Sequence, residues 1–288
     1  MFDEAIGPIG QYYQLTKTDS KKMPESGWKF AFYLSTWSYM AYIIMMRKGA
    51  QYFYSPSIVW QNYSIDNPVE TEIYVIYMVQ LSFYCHSLYS TLCVDQWRKD
   101  TPALMVHHVL CVLLISISLA TKTHKSGLFA MFLHDGCDIL LEGTKLSRYF
   151  KIQGGRVIKN MDAVTNAGFI CFIMAWIYCR LYCYPLKQVY MASVYVTAKQ
   201  IQVPFIQPIV LMLWLLLIMN IYWFTFILKL LYKVVTGQIK ELDDNREYSE
   251  NKNISDDLDS ADKLAANGRY YLRQRKIDYN LLHTGRSQ

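Results

Sequence analysis

Two adjacent histidines, His107 and His108, lie inside an apolar stretch that begins after Trp97-Arg98-Lys99-Asp100. The next apolar stretch carries His134, Asp135, Asp138 and Glu142. Imidazoles and carboxylates inside hydrophobic segments cost free energy, so each needs a partner, a wet cavity or a chemical task. Three tasks suit these types. A carboxylate can orient an imidazole and raise its basicity, making it a general base or a nucleophile toward an acyl carbon. His and carboxylate together can bind iron or zinc. The same groups can also simply bond helices to one another. Asp135, Asp138 and Glu142 are three and four residues apart and so share a helix face, which His134 overlaps. His107 and His108 are about 100° apart around a helix, so one is expected to point at the carboxylates and the other at a neighbouring helix.

The elements that must position these groups are membrane helices. Of 288 residues, 53% are hydrophobic, only 18% are charged, and the apolar residues come in long blocks. Blocks of about 20 residues match a bilayer core of about 30 Å. The 24 tyrosines and 7 tryptophans cluster at block ends, as aromatic belts do. The pattern predicts an all-α membrane protein: a polar segment 1–27, a transmembrane domain 28–238 and a charged tail 239–288. Six spans are expected at about 28–46, 71–94, 102–121, 126–144, 163–184 and 206–232. The net charge of +6 comes from loop and tail residues and is no nucleic-acid signal. The seven cysteines lack metal-ligand or secreted-disulfide spacing. The first 27 residues lack the apolar core of a cleavable signal. The tail, acidic from Glu241 to Asp262 and basic after it, reads as solvated and disordered.

Lys and Arg of the short loops favour a cytosolic N-terminus and, with six spans, a cytosolic C-terminus. In that count Arg180, Lys187 and Lys199 fall in outer loops. Asn62-Tyr63-Ser64 then faces outward as a glycosylation candidate, whereas Asn253-Ile254-Ser255 faces the cytosol. At 1.5 Å per residue, His107 and His108 lie about 10 Å from the cytosolic face and Asp138 about 9 Å, on antiparallel neighbours. All the polar groups are expected to converge in the cytosolic half of the bundle.

The run Trp97-Arg98-Lys99-Asp100, the pair His107-His108, and His134-Asp135 followed by Asp138, Glu142 and Lys145 resemble the Lag1 motif of ceramide synthases, members of the TLC-domain membrane proteins. The likeness runs from Met23-Pro24-Glu25-Ser26 to Arg246-Glu247-Tyr248 and is strongest toward the ceramide synthase 1 branch. It implies a TLC-type bundle in the endoplasmic reticulum membrane that N-acylates a sphingoid base from a fatty acyl-CoA, by likeness stearoyl-CoA. The acyl-CoA is a co-substrate, and no cofactor or metal is implied. The catalytic residues implied are His107, His108, Asp135 and Asp138, with His107 as acylated nucleophile and His134, Glu142 and Lys145 in support. Arg98, Lys99 and Arg148 are candidates for the CoA phosphates. Acyl-length choice is assigned to the segment Ser193–Gln202, with Ser193, Tyr195, Lys199 and Gln202 as its candidates. A homo- or heterodimer with related synthases is a further expectation.

The chain departs from the family pattern at Gly136-Cys137, Cys111 and Leu119, where other residues are usual. Relative to the family it is expected to lack the first N-terminal membrane helix. Three other functions compete with acyl transfer: a non-catalytic TLC-domain lipid-binding or trafficking protein, a metal-dependent lipid hydroxylase, and a channel. Polar groups gathered at one depth argue against a path across the bilayer.

Overall fold

A computed structural model describes residues 8–47, 51–95 and 97–236. The expected tail 239–288, the sequon at Asn253 and the first seven residues lie outside the described residues. Trp97–Asp100 belong to a unit separate from the bundle, and there Arg98 Nε stands 3.9 Å from Asp100 Oδ1.

Six long helices are present among the described residues. They are α1 (Lys17–Ala41, continuing as the π-helical Tyr42–Arg47), α2 (Thr71–Cys93), α3 (Thr101–Ala120) and α4 (His124–Tyr149). The helix α5 starts at Lys159–Ala175 and continues through π-helical stretches to Val196–Ala198, and α6 is Ile206–Val235. A two-stranded ribbon, β1 (Ile152–Gln153) with β2 (Arg156–Val157), joins α4 to α5. Among the described residues, three helices are long and apolar enough to cross a membrane: Thr101–Ala120, Lys159–Ala198 and Ile206–Val235, with mean hydropathies of 2.3, 1.5 and 2.2. On α3 the exposed Val106, Val109 and Leu113 form one apolar stripe, and on α6 Leu211, Leu215 and Ile218 form another. Stripes of that kind suit lipid.

Two boundaries differ from the expected ones, each for a local reason. α1 begins at Lys17 rather than near residue 28, because Thr16 caps it: its Oγ1 accepts from the Asp19 amide at 3.1 Å. Pro24 then lies inside the helix. α5 runs on to Ala198, well past the expected end near residue 184. Pro185 reads as a terminator, but it falls within the π-helical stretch Trp176–Val189. A wider turn already departs from the α-helical hydrogen-bond pattern, so a missing amide proton is tolerated there. Ser193 and Tyr195 are therefore helical rather than loop residues, and the turn before α6 is residues 199–205, with left-handed backbone at Gln200 and Phe205. The same extension puts Lys187 on a helix and not in an outer loop; Arg180, counted with the outer charges although it falls within the expected span 163–184, is a buried helix residue. Lys187 Nζ donates to the Phe53 carbonyl at 2.8 Å, over that residue's ring.

α4 is the hub of the bundle, packing against α1, α2, α3 and α5, while α6 closes against α3 and α5. At one end Tyr63 Oη donates to the Thr121 carbonyl at 2.6 Å, tying the segment after α1 to the α3–α4 turn. Beside it Tyr52 is buried, and that burial, aided by the Glu70 carboxylate, pushes its phenol up to about 12. At the other end Arg148 faces Asp19 at 3.9 Å and Lys151 pairs with Asp162 at 3.0 Å.

Gly127 leaves room for the side chains of Tyr77 and Ser118 from neighbouring helices. A Cβ there would lie 2.1 Å from Tyr77 Oη and 2.7 Å from Ser118 Oγ. Gly127→Val is expected to destabilise the fold by about 1–3 kcal/mol through overpacking. The loss should appear as a lowered melting temperature in detergent, partly restored by adding Tyr77→Phe.

Candidate active site

The polar residues of α4 turn to different helices. Asp135, with no exposed surface, accepts through Oδ2 from Gln80 Nε2 on α2 and from Thr36 Oγ1 on α1, the latter at 3.2 Å. Its Oδ1 has no hydrogen-bond partner among the described residues. Asp138 pairs with Arg180 Nη2 of α5 at 2.7 Å, and the same nitrogen donates to the His134 carbonyl at 3.0 Å. The Arg180 guanidinium lies over the Trp176 ring, 4.2 Å from its centroid. His134 donates from Nδ1 to the Ala130 carbonyl at 2.8 Å, so its Nε2 accepts from Asn220 Nδ2 of α6 at 3.2 Å. Asn220 in turn accepts at its carbonyl from Trp176 Nε1 at 3.3 Å. Glu142 pairs with Lys145 Nζ at 2.7 Å, one turn apart on α4.

The histidine pair on α3 has different neighbours. Among the described residues no hydrogen bond or ion pair joins either histidine to Asp135 or Asp138, which corrects the expectation that a carboxylate holds one imidazole. The reason is competition. Asp138 finds a cation on α5, and Asp135 finds two neutral donors on α1 and α2. His107 Nε2 stands 3.5 Å from Cys111 Sγ, and its ring meets Trp223 edge-on at 5.2 Å. Tyr84 of α2 touches both imidazoles, with ring centroids 6.2 Å from His107 and 6.1 Å from His108. His108 is buried, and its Nδ1 has no hydrogen-bond partner among the described residues. Among the described residues no three His, Cys, Asp or Glu side chains converge as a metal-binding group.

His107 and His134 border a narrow cavity of about 70 Å³ that runs between the helices toward Ser118, Thr123 and Trp60. Its walls between are mostly apolar, with Cys111, Leu114, Ile115, Met131 and Leu213 among them. His108 is not on this wall.

Sequence reasoning placed His107, His108, His134, Asp135, Asp138, Glu142 and Lys145 together, and all lie in this bundle. Gln80, Thr36, Tyr84 and Asn220 were missed as site residues, although Gln80 and Asn220 are amides inside apolar runs and carried a readable signal. Arg180 was noticed only as a loop charge. Of the CoA candidates, Arg148 sits at the α4 C-terminus, where its guanidinium lies over the Tyr149 ring at 5.1 Å. Arg98 and Lys99 lie outside the bundle. The departure at Gly136 has a steric reason: a Cβ there would stand 2.9 Å from Trp37 Nε1. Cys137 fills a fully buried position, with its thiol 3.4 Å from the Ala175 carbonyl.

The TLC domain family model matches residues 22–229, most of this helical region. The chain belongs to the TLC-domain family. It is 40% identical over 244 residues to mouse ceramide synthase 1, covering 84% of this chain and 69% of that protein. Against human ceramide synthase 1 it is 39% identical over 263 residues, 91% of this chain and 74% of the relative. Ceramide synthase hyl-1 of Caenorhabditis elegans is 32% identical over 230 residues, 76% of this chain and 59% of that protein. Relatives of this kind imply an acyltransferase embedded in a membrane.

Breaking a buried ion pair from one side leaves an uncompensated charge and costs about 3–5 kcal/mol. Arg180→Met alone, or Asp138→Leu alone, should therefore sharply reduce the yield of folded protein. The double variant should recover a large part of it, measured by fluorescence-detected size exclusion and thermal melting.

Proposed function

We propose that this protein is a ceramide synthase that transfers a fatty acyl group from acyl-CoA to the amine of a sphingoid base, with stearoyl-CoA as preferred donor. The observation that carries the reading is the position of His107, whose imidazole borders a narrow apolar cavity suited to an acyl chain. The ceramide synthase relatives supply the reaction class. The same reading takes all six long helices as membrane spans, with both termini cytosolic, in the endoplasmic reticulum membrane.

In this mechanism an imidazole nitrogen of His107 attacks the thioester carbon. The new N–C bond forms as the C–S bond breaks, and CoA leaves as the thiolate and takes up a proton. The amine of the sphingoid base then attacks the acyl-imidazole, the imidazole nitrogen leaves, and the amide is released with a proton lost from the amine. Asp135, whose buried Oδ1 has no partner among the described residues, is assigned to orient that amine. His108 acts as base or oxyanion donor. Arg148, at the end of α4, meets the CoA phosphates. The corresponding role for Arg98 and Lys99 rests on their place in the sequence motif.

An acylation assay tests the reaction. Microsomes containing the full chain are given sphinganine and a panel of acyl-CoAs. His107→Ala and Asp135→Ala should each lower ceramide formation by about 100-fold or more, the range expected for loss of a nucleophile or a proton-handling group. With acyl-CoA alone, mass spectrometry should find the acyl mass on the peptide carrying His107. Acyl-CoA binding without any amide product would instead favour the non-catalytic lipid-binding reading.

Topology has its own test. Asn62 is exposed, with left-handed backbone (φ 54°), in the turn whose Tyr63 reaches Thr121. Under the proposed orientation Asn62 carries a glycan and Asn253 does not. Glycosidase treatment should sharpen the gel mobility of the wild type and of Asn253→Gln equally, and should leave Asn62→Gln unchanged.

A further inference from the structure

The cavity bordered by His107 is bordered by Trp60 as well. Trp60 sits on the 3₁₀ turn Pro56–Trp60 and is only 4% exposed. That turn packs against α4 and the π-helical Met191–Tyr195. Trp60 lines the narrow cavity, and it also lines an open cleft of about 580 Å³ on the other side, bordered by Tyr63, Tyr195, Lys199 and Pro204. It is therefore a partition shared by the narrow cavity and the wider cleft.

The chemistry of the tube changes just before the partition. Tyr77 Oη is 3.0 Å from Ser118 Oγ and donates to the His124 carbonyl at 2.8 Å. Thr123 Oγ1 is 3.2 Å from Ser118 Oγ, and Gln188 Nε2 donates to Ser126 Oγ at 2.7 Å. These groups form a collar whose hydrogen bonds are made within itself, so a methyl end arriving there displaces nothing and gains no apolar contact. From His107 to Ser118 on α3 is eleven residues, about 16 Å.

We propose that Trp60, backed by this collar, is the specificity-determining residue that sets the upper limit of acyl-chain length. The proposal rests on the acyl-transfer reading above. It also gives Tyr195, Lys199 and Gln202 a place, since they border the cleft behind the partition and not the tube itself. A chain that fits between His107 and Trp60 buries every methylene. A longer one must displace a buried indole, whereas without the indole it would continue into the cleft. Each further methylene then favours binding about fourfold, from the usual free energy of burying one CH₂.

The test uses the full chain in microsomes with sphinganine and acyl-CoAs from palmitoyl to lignoceroyl. Trp60→Ala should raise the ratio of lignoceroyl to stearoyl product by about tenfold or more, a few methylenes' worth of recovered burial. Trp60→Leu should give a smaller rise. Ala130→Leu, which places a branched side chain midway along the tube, should shift preference toward shorter donors. Unchanged length preference in Trp60→Ala, at normal protein level, overturns the proposal. Where that variant does not accumulate, an unchanged preference in both Trp60→Leu and Ala130→Leu overturns it equally. A different result marks failure of the underlying reading: wild-type membranes that form no amide from any acyl-CoA remove acyl transfer, and the length limit with it.

Discussion

A carboxylate on a helix inside an apolar bundle has to be answered by a group on another helix, and in this protein the answer to Asp138 is Arg180. Water is scarce there, so neither charge is stable alone, and together they lock the rotation of α4 against the π-helical part of α5. The guanidinium is held further by the His134 carbonyl and the face of Trp176. Once α4 is fixed in that rotation, Asp135 one turn earlier must face α1 and α2, where Thr36 and Gln80 meet it. His134 must face α6, where Asn220 meets it. One buried ion pair thus orders four neighbouring helices around α4.

This arrangement leaves the histidine pair with a distinctive freedom. Asp138, His134 and one oxygen of Asp135 are spent on helix contacts, while His107 and His108 on α3 have sulfur and aromatic neighbours instead of anions. An imidazole surrounded by Cys111, Tyr84 and Trp223 has its lone pair uncommitted to any carboxylate. In the proposed mechanism, where that nitrogen forms a bond to carbon, such freedom suits it better than a clamp by an anion. The aromatic neighbours also exclude water, which would otherwise compete with an amine for an activated acyl group. Structure and reactivity are linked here through what the histidines do not touch.

The two ends of the bundle have different characters. The end containing Arg148, Lys151 and Asp162 is charged and paired across short distances. The end containing Trp60, Tyr63 and Thr121 is aromatic and hydroxyl-rich, with its hydrogen bonds closed internally. A site placed between them, nearer the charged end, has access to a polar anionic carrier on one side and room for a hydrocarbon on the other. The TLC-domain fold makes this separation simply by setting α3 and α4 antiparallel across a short turn.

Much of this was legible in the residues alone. Long apolar blocks dictate membrane helices because an unpaired backbone has no partner in lipid. The three- and four-residue spacing of Asp135, Asp138 and Glu142 puts them on one face, and counting from the turn puts them near the depth of His107. The pairing was not legible. Which carboxylate meets which donor depends on how six helices rotate against one another, and helical periodicity restricts that only to a broad face. Arg180 shows the difference: read locally, it is one more basic residue near the Pro185 end of a span, counted with the outer-loop charges. In the tertiary structure a π-helical stretch absorbs the proline and carries Arg180 inward to Asp138. Trp60 shows it again, since nothing in Pro56–Trp60 announces a wall until α4 and α5 are packed beside it. The sequence by itself determined which groups are too costly to bury without a purpose. Only the packing of the helices decided which partner each one found.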